Sequence, residues 1–333
     1  MNLIVNNICV KNFKSLRDLK IEDCRRVNLF IGRPNVGKSN LLEALSLFSL
    51  PYLRRVKQPG IHALARMEHL PELYYDGNTS NVIEVIIDNS IRLNLERTSN
   101  DGLNMRIIKD EILWDNYLFN PDLTLDPIIN PLLPGDSREV RLLSYRYIPN
   151  VEHTSYGISQ LLPPAGVNLM EVVKQLPLLK DEANQLMDSY GLKLVFDNAS
   201  QELKAMKEKS DEIFLIPFAS LADSLQRMIF YKAAIMSNHG KAICLEEPET
   251  HTFPPYIASV VQDIIDSEDN QFFISTHSPY VVNTLMESLT DDLAIYFVKM
   301  TDGETEIKRA LDEEVQEMYD NGVDLFFSME NYL

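Results

Sequence analysis

Nine residues near the amino terminus, Gly32-Arg33-Pro34-Asn35-Val36-Gly37-Lys38-Ser39-Asn40, have the types and spacing that hold phosphate. In a Gly-x4-Gly-Lys-Ser loop the backbone N–H groups turn inward on a β-phosphate, and the helix behind them adds its positive end. Lys38 is placed to reach β- and γ-oxygens, and Ser39 to ligate Mg²⁺. Two clusters far along the chain complete the chemistry. "ICLEEPETH" (Ile243–His251) is an apolar run ending in acids, which sets a carboxylate beside a magnesium site. Glu246 is the candidate for the metal, through a water, and Glu247 for polarising the water that attacks a γ-phosphate. "FFISTHSP" (Phe272–Pro279) is a second apolar run. His277 at its end is a candidate γ-phosphate donor. The chemistry these residues suit is hydrolysis of ATP with Mg²⁺. A kinase is the enzymatic alternative, although no acceptor-binding base or lid is recognisable. A nucleotide-gated scaffold with little hydrolysis is the other alternative.

These residues need particular elements to position them. "VNLFIG" (Val27–Gly32) is a short apolar run suited to a buried strand, and "KSNLLEALSLFSL" has helical spacing up to Pro51. Strand, glycine-bearing loop and helix are the context a phosphate loop requires. "KAICLEE" and "QFFISTH" read as strands around the helix "PPYIASVVQDIIDS", and "LAIYFVKM" with "TEIKRAL" as a final strand pair. "IVNNICVKNF" is an opening strand. "VIEVIIDN", "IRLNLERT" and "LNMRIIKD" alternate with period two, with Ser99–Gly102 as a hairpin turn. Asn120–Asp136 is proline-rich and reads as a loop. "VNLMEVVKQLPLLKDEANQLMDSYG" and "FASLADSLQRMIFYKAAIMSNHG" read as helices stopped by Gly191 and Gly240.

Composition narrows the field. A chain of 333 residues with 45% hydrophobic residues can bury a large core. Its net charge of −18 excludes a surface that attracts nucleic acid everywhere, because phosphate binding runs on Lys and Arg. Local basic stretches remain at Arg54, Arg55 and Lys57, and at Lys204, Lys207 and Lys209, both read as solvated helix faces. No apolar run reaches a membrane span of about 18–20 residues, and the opening is not a signal peptide. Cys9, Cys24 and Cys244 are too few and too scattered for a disulfide or zinc framework, which points to the cytoplasm.

The order of motifs resembles the ABC-type ATPases of the RecF and SMC kind. It is closer to the AAA-family ATPases related to the OLD (overcoming lysogenization defect) proteins. The likeness rests on "VKNFKSLRDLKIEDCRRVNLFIGRPNVGKSNLLEAL", "LEEPETHTFPPY", "ISTHSPYVVNTL" and "YDNGVDLFFSMENYL". It covers both ends well and the middle loosely. It implies an α/β fold class, an ABC-type P-loop head with a mixed central sheet, a small antiparallel sheet and an inserted helical lobe. The nucleotide lobe is then split between 1–145 and 238–333, with antiparallel strands near 80–115, and 146–237 is the inserted, mainly helical signature lobe.

The resemblance also implies a homodimer or higher oligomer closed around two ATP molecules, each site completed by the other chain's signature segment. "SLADSLQR" (Ser220–Arg227) stands at that place but lacks the usual glycine. Ser224 is the candidate γ-phosphate contact and Asp223 the helix cap. Lys14 and Ser15 in "NFKSL" match a segment that contacts adenine or phosphate in related repair ATPases. Gln160 and Arg146 both compete for the role of the glutamine loop, and His251 falls where a D-loop faces the partner. A TOPRIM nuclease domain would add a Glu and an Asp-x-Asp, and none follows the His277 strand. A separate effector, nuclease or toxin, is therefore implied, in phage defence or DNA maintenance. DNA binding by the chain alone is expected to be weak. A transporter head is disfavoured by "EEPETH" and "NFKSL".

Overall fold

The computed structural model describes residues 4–53, 60–126, 141–210, 212–320 and 325–328. From the amino terminus, β1 (Ile8–Phe13), β2 (Leu16–Ile21) and β3 (Val27–Ile31) lead into α1 (Lys38–Ser46) and the short α2 (Leu50–Leu53). Five strands follow: β4 (Ile83–Ile87), β5 (Ile91–Arg97), β6 (Leu103–Lys109), β7 (Ile112–Phe119) and β8 (Leu142–Tyr145). The middle holds α3 (Leu169–Gln175), α4 (Pro177–Ser189), β9 (Lys193–Asp197), β10 (Glu202–Lys209), β11 (Glu212–Pro217) and α5 (Asp223–Met236). Then come β12 (Ala242–Glu246), α6 (Pro254–Asp266), β13 (Gln271–Ser275), α7 (Pro279–Ser288), β14 (Leu293–Thr301), β15 (Glu304–Arg309), α8 (Asp312–Asp320) and α9 (Leu325–Ser328).

The chain divides into two compact units, the first comprising Met1–Ser144, Gly240–Glu247 and Gln271–Leu333. Its central sheet has the order β15-β14-β3-β13-β12-β8. β3 is parallel to both neighbours, β13 and β14, and all five of its residues are buried. That explains why "VNLFI" is continuously apolar apart from Asn28: a strand covered on both faces has no solvent side to make polar. Asn28 is tolerated because its amide donates to the carbonyls of Arg25 and Phe272 and its oxygen accepts from the Arg25 N–H. β15 joins β14 in antiparallel fashion, so the sheet is mixed as expected. The second sheet, β2-β1-β4-β5-β6-β7, is antiparallel and larger than the period-two reading of 80–115 foresaw. It recruits β1 and β2 at one side and β7 at the other. β4 alternates buried and half-buried residues along its length, as a one-sided sheet requires.

The second unit comprises Tyr145–His239 and Pro248–Asn270. Two expectations are corrected here. Residues 248–270, assigned to the nucleotide lobe, belong to this unit, because α6 buries Ile257, Val260, Val261 and Ile264 and packs on α5. Within the mainly helical lobe the stretch around Lys204–Lys209 is not helical: β11-β10-β9 form a three-stranded antiparallel sheet. Lys204, Lys207 and Lys209 therefore lie on a strand rather than a helix face. The alternation of buried Leu203 and Ala205 with half-buried neighbours is what a strand needs there. The stretch Arg54–Lys57 and residues 127–136 of the proline-rich segment lie outside the described residues.

Candidate functional site

The loop Gly32–Asn40 leaves the carboxyl end of β3 and runs into α1. Lys38 is only 4% exposed, and its ammonium donates to the carbonyls of Gly32 and Arg33, at 2.9 Å each. Backbone crowding explains both glycines. A Cβ on Gly32 would stand 2.3 Å from the Val298 carbonyl oxygen; on Gly37, which has φ 98°, it would stand 2.0 Å from Thr305 Oγ1. A hydroxyl relay braces the loop from outside. Asn40 Nδ2 donates to Ser15 Oγ at 2.7 Å, Ser15 Oγ lies 2.6 Å from Thr305 Oγ1, and Thr305 Oγ1 donates to the Val36 carbonyl at 3.0 Å. Ser15 thus touches the loop as expected, but its hydroxyl is engaged in holding it.

The acids and the histidine are aligned by strand register. Glu246 pairs with Ser275, and Ser275 with Phe30, so the ends of β12, β13 and β3 stand in one row. Strands about 4.8 Å apart then deliver Gly32, Glu247 and His277 past the same edge of the sheet, the usual ligand side of a parallel sheet. Two backbone bonds fasten the row: Glu247 N–H to the Ser275 carbonyl at 3.0 Å, and Thr276 N–H to the Phe30 carbonyl at 3.3 Å. Glu247 leaves the strand with φ 41°, a left-handed conformation that turns it away from the path of Glu246. Its Oε1 lies 3.4 Å from His277 Nε2. Burial, and then the Lys38 ammonium, push the His277 pKa below its ordinary value, against the pull of Glu247. The imidazole is therefore neutral near pH 7.

Three partners, Arg66, Glu43 and Thr305, were missed in the sequence reading. Arg66 forms ion pairs with both Glu246 and Glu43, the latter at 2.8 Å. Burial alone would lower the Arg66 pKa, but the two carboxylates outweigh it and the net shift is upward. Lys14 pairs with Glu43 and donates to the Arg66 carbonyl at 2.6 Å. The expected phosphate or adenine contact, Lys14, is thus bound into a chain of charges that ends on the magnesium candidate. Glu43 left one signal: a lone acid in the apolar helix "NLLEALS", which is buried and so requires cationic partners. Arg66 and Thr305 left none.

In the second unit, Ser224 lies in the first turn of α5 and its hydroxyl donates to the His251 carbonyl at 2.9 Å. Asp223 does not cap the helix. Ala222 holds the cap position without a side-chain bond, and Asp223 instead accepts from Arg227 Nε at 2.8 Å, one turn on. Arg227 in turn stacks over the Tyr147 ring, 4.7 Å from its centroid. The turn before the helix is held by buried Gln226, which donates to the Ala219 and Leu221 carbonyls and accepts from the Tyr147 hydroxyl. Behind it, Lys232 is 1% exposed and meets Glu182, Asp263 and Ser259 within 3.0 Å, tying α4, α5 and α6 together. Arg146 and Gln160 also lie in this unit. Gln160 Nε2 is buried without a partner, while its carbonyl accepts from Asn168.

The residues fit a magnesium nucleotide. At the two glycine positions any side chain would run into the loop's own supports, the Val298 carbonyl or the Thr305 and Ser15 hydroxyls, and so displace the backbone that would wrap a phosphate. Among the described residues no group of three or more His, Cys, Asp or Glu could hold a metal ion alone. Mg²⁺ needs no such cage, because it takes one or two protein oxygens and completes its shell with phosphates and waters. No described helix is long and apolar enough to cross a membrane.

Comparison with known proteins agrees with this chemistry. The model of an AAA ATPase domain family matches residues 3–215. A Helicobacter pylori protein described as an ATP/GTP phosphatase is 22% identical over 331 residues, covering 85% of this chain and 87% of its own. The DNA replication and repair protein RecF of Thermoanaerobacter sp. is 44% identical over 48 residues, 14% of this chain and 13% of its own. Among solved structures, an Smc head domain derived from Pyrococcus furiosus is similar with a TM-score of 0.48 and 14% identity, over 95% of this chain and 98% of that one.

Proposed function

The chain belongs to the AAA ATPase domain family, and from that premise we propose that it binds and hydrolyses ATP with Mg²⁺ as a nucleotide-dependent switch. The observation that carries the reading is the row of strand ends that brings Lys38, Glu246, Glu247 and His277 to one edge of one sheet. Lys38 and the backbone of Gly32–Asn40 would hold the β- and γ-phosphates. Ser39 and Glu246 would hold Mg²⁺, which when bound draws charge off the phosphate oxygens. Glu246 must exchange Arg66 for that role. Glu247 would take the proton of the attacking water, and neutral His277 would donate to the γ-oxygens. The relative described as an ATP/GTP phosphatase supports hydrolysis and places GTP beside ATP in the assay.

Two chains would close on two nucleotides, Ser224 of each meeting the γ-phosphate held by the other, and hydrolysis would reset the pair. A separate nuclease or toxin would take the output in anti-phage defence or DNA maintenance. The net charge of −18 supports leaving the main nucleic-acid contacts to that effector. The setting is cytoplasmic, in keeping with free Cys9, Cys24 and Cys244.

Phosphate release, with and without DNA, tests the reading. Glu247→Gln keeps size and most hydrogen bonds but removes the base, so turnover should fall about 10²–10⁴-fold while ATP still binds. Its mass should double with ATP and Mg²⁺. Full hydrolysis by that variant would overturn the assigned roles, and unchanged mass would overturn the paired switch.

A further inference from the structure

Arg66 bridges two acids of unequal standing. Its Nε donates to Glu43 at 2.8 Å and its Nη2 to Glu246. Glu43 lies in α1 with its side chain only 6% exposed, and it has a second cation in Lys14. Glu246 ends β12 at the sheet edge where the candidate site residues gather. The segment that carries Arg66 is fastened on three sides. Ile61 N–H donates to the Leu123 carbonyl at 3.2 Å, Ser46 Oγ to the Leu64 carbonyl at 2.7 Å, and Lys14 Nζ to the Arg66 carbonyl at 2.6 Å. The side chain beyond that anchored backbone is 54% exposed, so the guanidinium can shift without disturbing a core. A buried carboxylate needs a cation, and Glu43 keeps Lys14 whatever Arg66 does. The end of the bridge that can open is therefore the one on Glu246.

We propose that Arg66 is an ionic latch on Glu246: the guanidinium and Mg²⁺ compete for this carboxylate, and the metal nucleotide binds as Arg66 lets go and stays with Glu43. The latch rests on the assignment of Glu246 to Mg²⁺ made above. Arginine stays charged at any working pH, so it yields Glu246 by moving and not by losing a proton. A cation in hydrogen-bond contact with a carboxylate opposes a dication on the same group. Lys14 and Arg66 balance Glu43 and Glu246, two charges against two. Once Mg²⁺ takes over Glu246, both cations fall to Glu43. By linkage, whatever the metal does to the latch, the latch does equally to the metal. Arg66 thus lowers the part of the ATP affinity that depends on Mg²⁺. It leaves the metal-free part, which belongs to Lys38 and the loop backbone, unchanged. A residue that touched the phosphates directly would strengthen both parts.

Calorimetry of the full chain with a non-hydrolysable ATP analogue, in EDTA and in saturating Mg²⁺, tests this. The ratio of the two dissociation constants is the gain due to metal. Arg66→Gln should raise that gain about fivefold or more, with the EDTA affinity unchanged. Arg66→Lys keeps a charge for Glu43 but has no planar edge to bridge both acids. It should raise the gain in the same direction with melting near that of the unsubstituted chain, which keeps the test open if Arg66→Gln folds poorly. In a Glu246→Gln background neither substitution should move the gain, because the carboxylate they contest is gone. An unchanged or smaller gain in both Arg66 variants overturns the latch. So does an equal loss of affinity with and without metal, which would make Arg66 a phosphate contact. A rise that persists with Glu246→Gln overturns it too, since Arg66 would then act through its general field. In these outcomes the magnesium role of Glu246 survives. If Glu246→Gln alone leaves the gain of the unsubstituted chain intact, that role fails and the latch fails with it.

Discussion

The loop around Lys38 and the start of α5 are built in opposite ways. The first is rigid throughout the candidate phosphate loop. Lys38 is buried, two glycines lie against other backbone or side chains, and a relay through Ser15 and Thr305 fixes the loop from outside. The second is rigid only behind its tip. Ten of the α5 residues are buried and Lys232 clamps the helix among three polar partners, yet Ala222 and Asp223 are exposed and the cap position makes no side-chain bond. A site that binds its own ligand has its donors fixed in advance. A tip that is firmly backed but open suits a ligand brought by another molecule. The difference is in keeping with the roles proposed for them, a phosphate cradle and a segment that would act on a neighbouring chain.

The comparison can be broken at the backing first. Lys232→Met leaves Glu182 and Asp263 without their buried cation and should cost about 3–5 kcal/mol, read as a lower thermal midpoint. Burial already pushes the Asp263 pKa up against the pull of Lys232, so the variant should recover stability as pH falls and Asp263 is neutralised. Wild-type melting would mean that α5 is held by its apolar face alone. Next comes the cradle. Lys38→Ala should leave nucleotide-free melting nearly unchanged and reduce ATP affinity about a hundredfold or more in calorimetry, because a charged partner of the phosphates is lost. Wild-type affinity would remove the phosphate assignment.

At the open tip, Ser224→Arg in a Glu247→Gln background should abolish the ATP-driven doubling of mass while each chain still binds ATP within about twofold of the unsubstituted tip, a surface change being near neutral for folding. Intact doubling would show that Ser224 lies away from the pairing surface. The smallest effect belongs to His153, whose pKa burial holds below its ordinary value. The unfolded chain takes up a proton as pH falls through about 6.5, while the folded one resists until lower pH. His153 therefore lowers stability below that pH and not above it. His153→Asn should flatten the decline by about 1 kcal/mol or less, measured by denaturant melts at pH 5.5 and 7.5. Parallel pH profiles would show that His153 is not the group responsible.

Most of the nucleotide region was legible because its elements announce themselves locally. Buried parallel strands such as "VNLFI" and "QFFIS" are largely apolar runs, and their carboxyl ends mark where the candidate site residues gather. What escaped was pairing at long range: Arg66 on Glu246, and Thr305 on the loop. Neither residue type nor spacing reveals a partner that lies far along the chain. The second unit was read less well for a different reason. In "ELKAMKEK" the charges after Ala205 mask the period-two alternation, which survives only at Leu203 and Ala205. The grouping of α6 with α5 depends on which apolar stripe covers which, and each helix alone looks equally suited to either unit.

The placement of β3 has a consequence for the making of the protein. Both strands that flank it come from the far end of the chain: Asn28 donates to Phe272, 244 positions on, and Val36 in the loop accepts from Thr305, 269 positions on. At a ribosomal pace of about 5–20 residues per second, the phosphate loop waits roughly 13–54 seconds for the residue that braces it. Through that interval "VNLFI" is a bare apolar strand with neither neighbour, a ready target for chaperones or for aggregation. Nucleotide cannot rescue a nascent chain whose cradle is not yet assembled. A ribosome-stalled chain ending before β15 should therefore fail to retain ATP even though its entire Gly32–Asn40 segment has emerged.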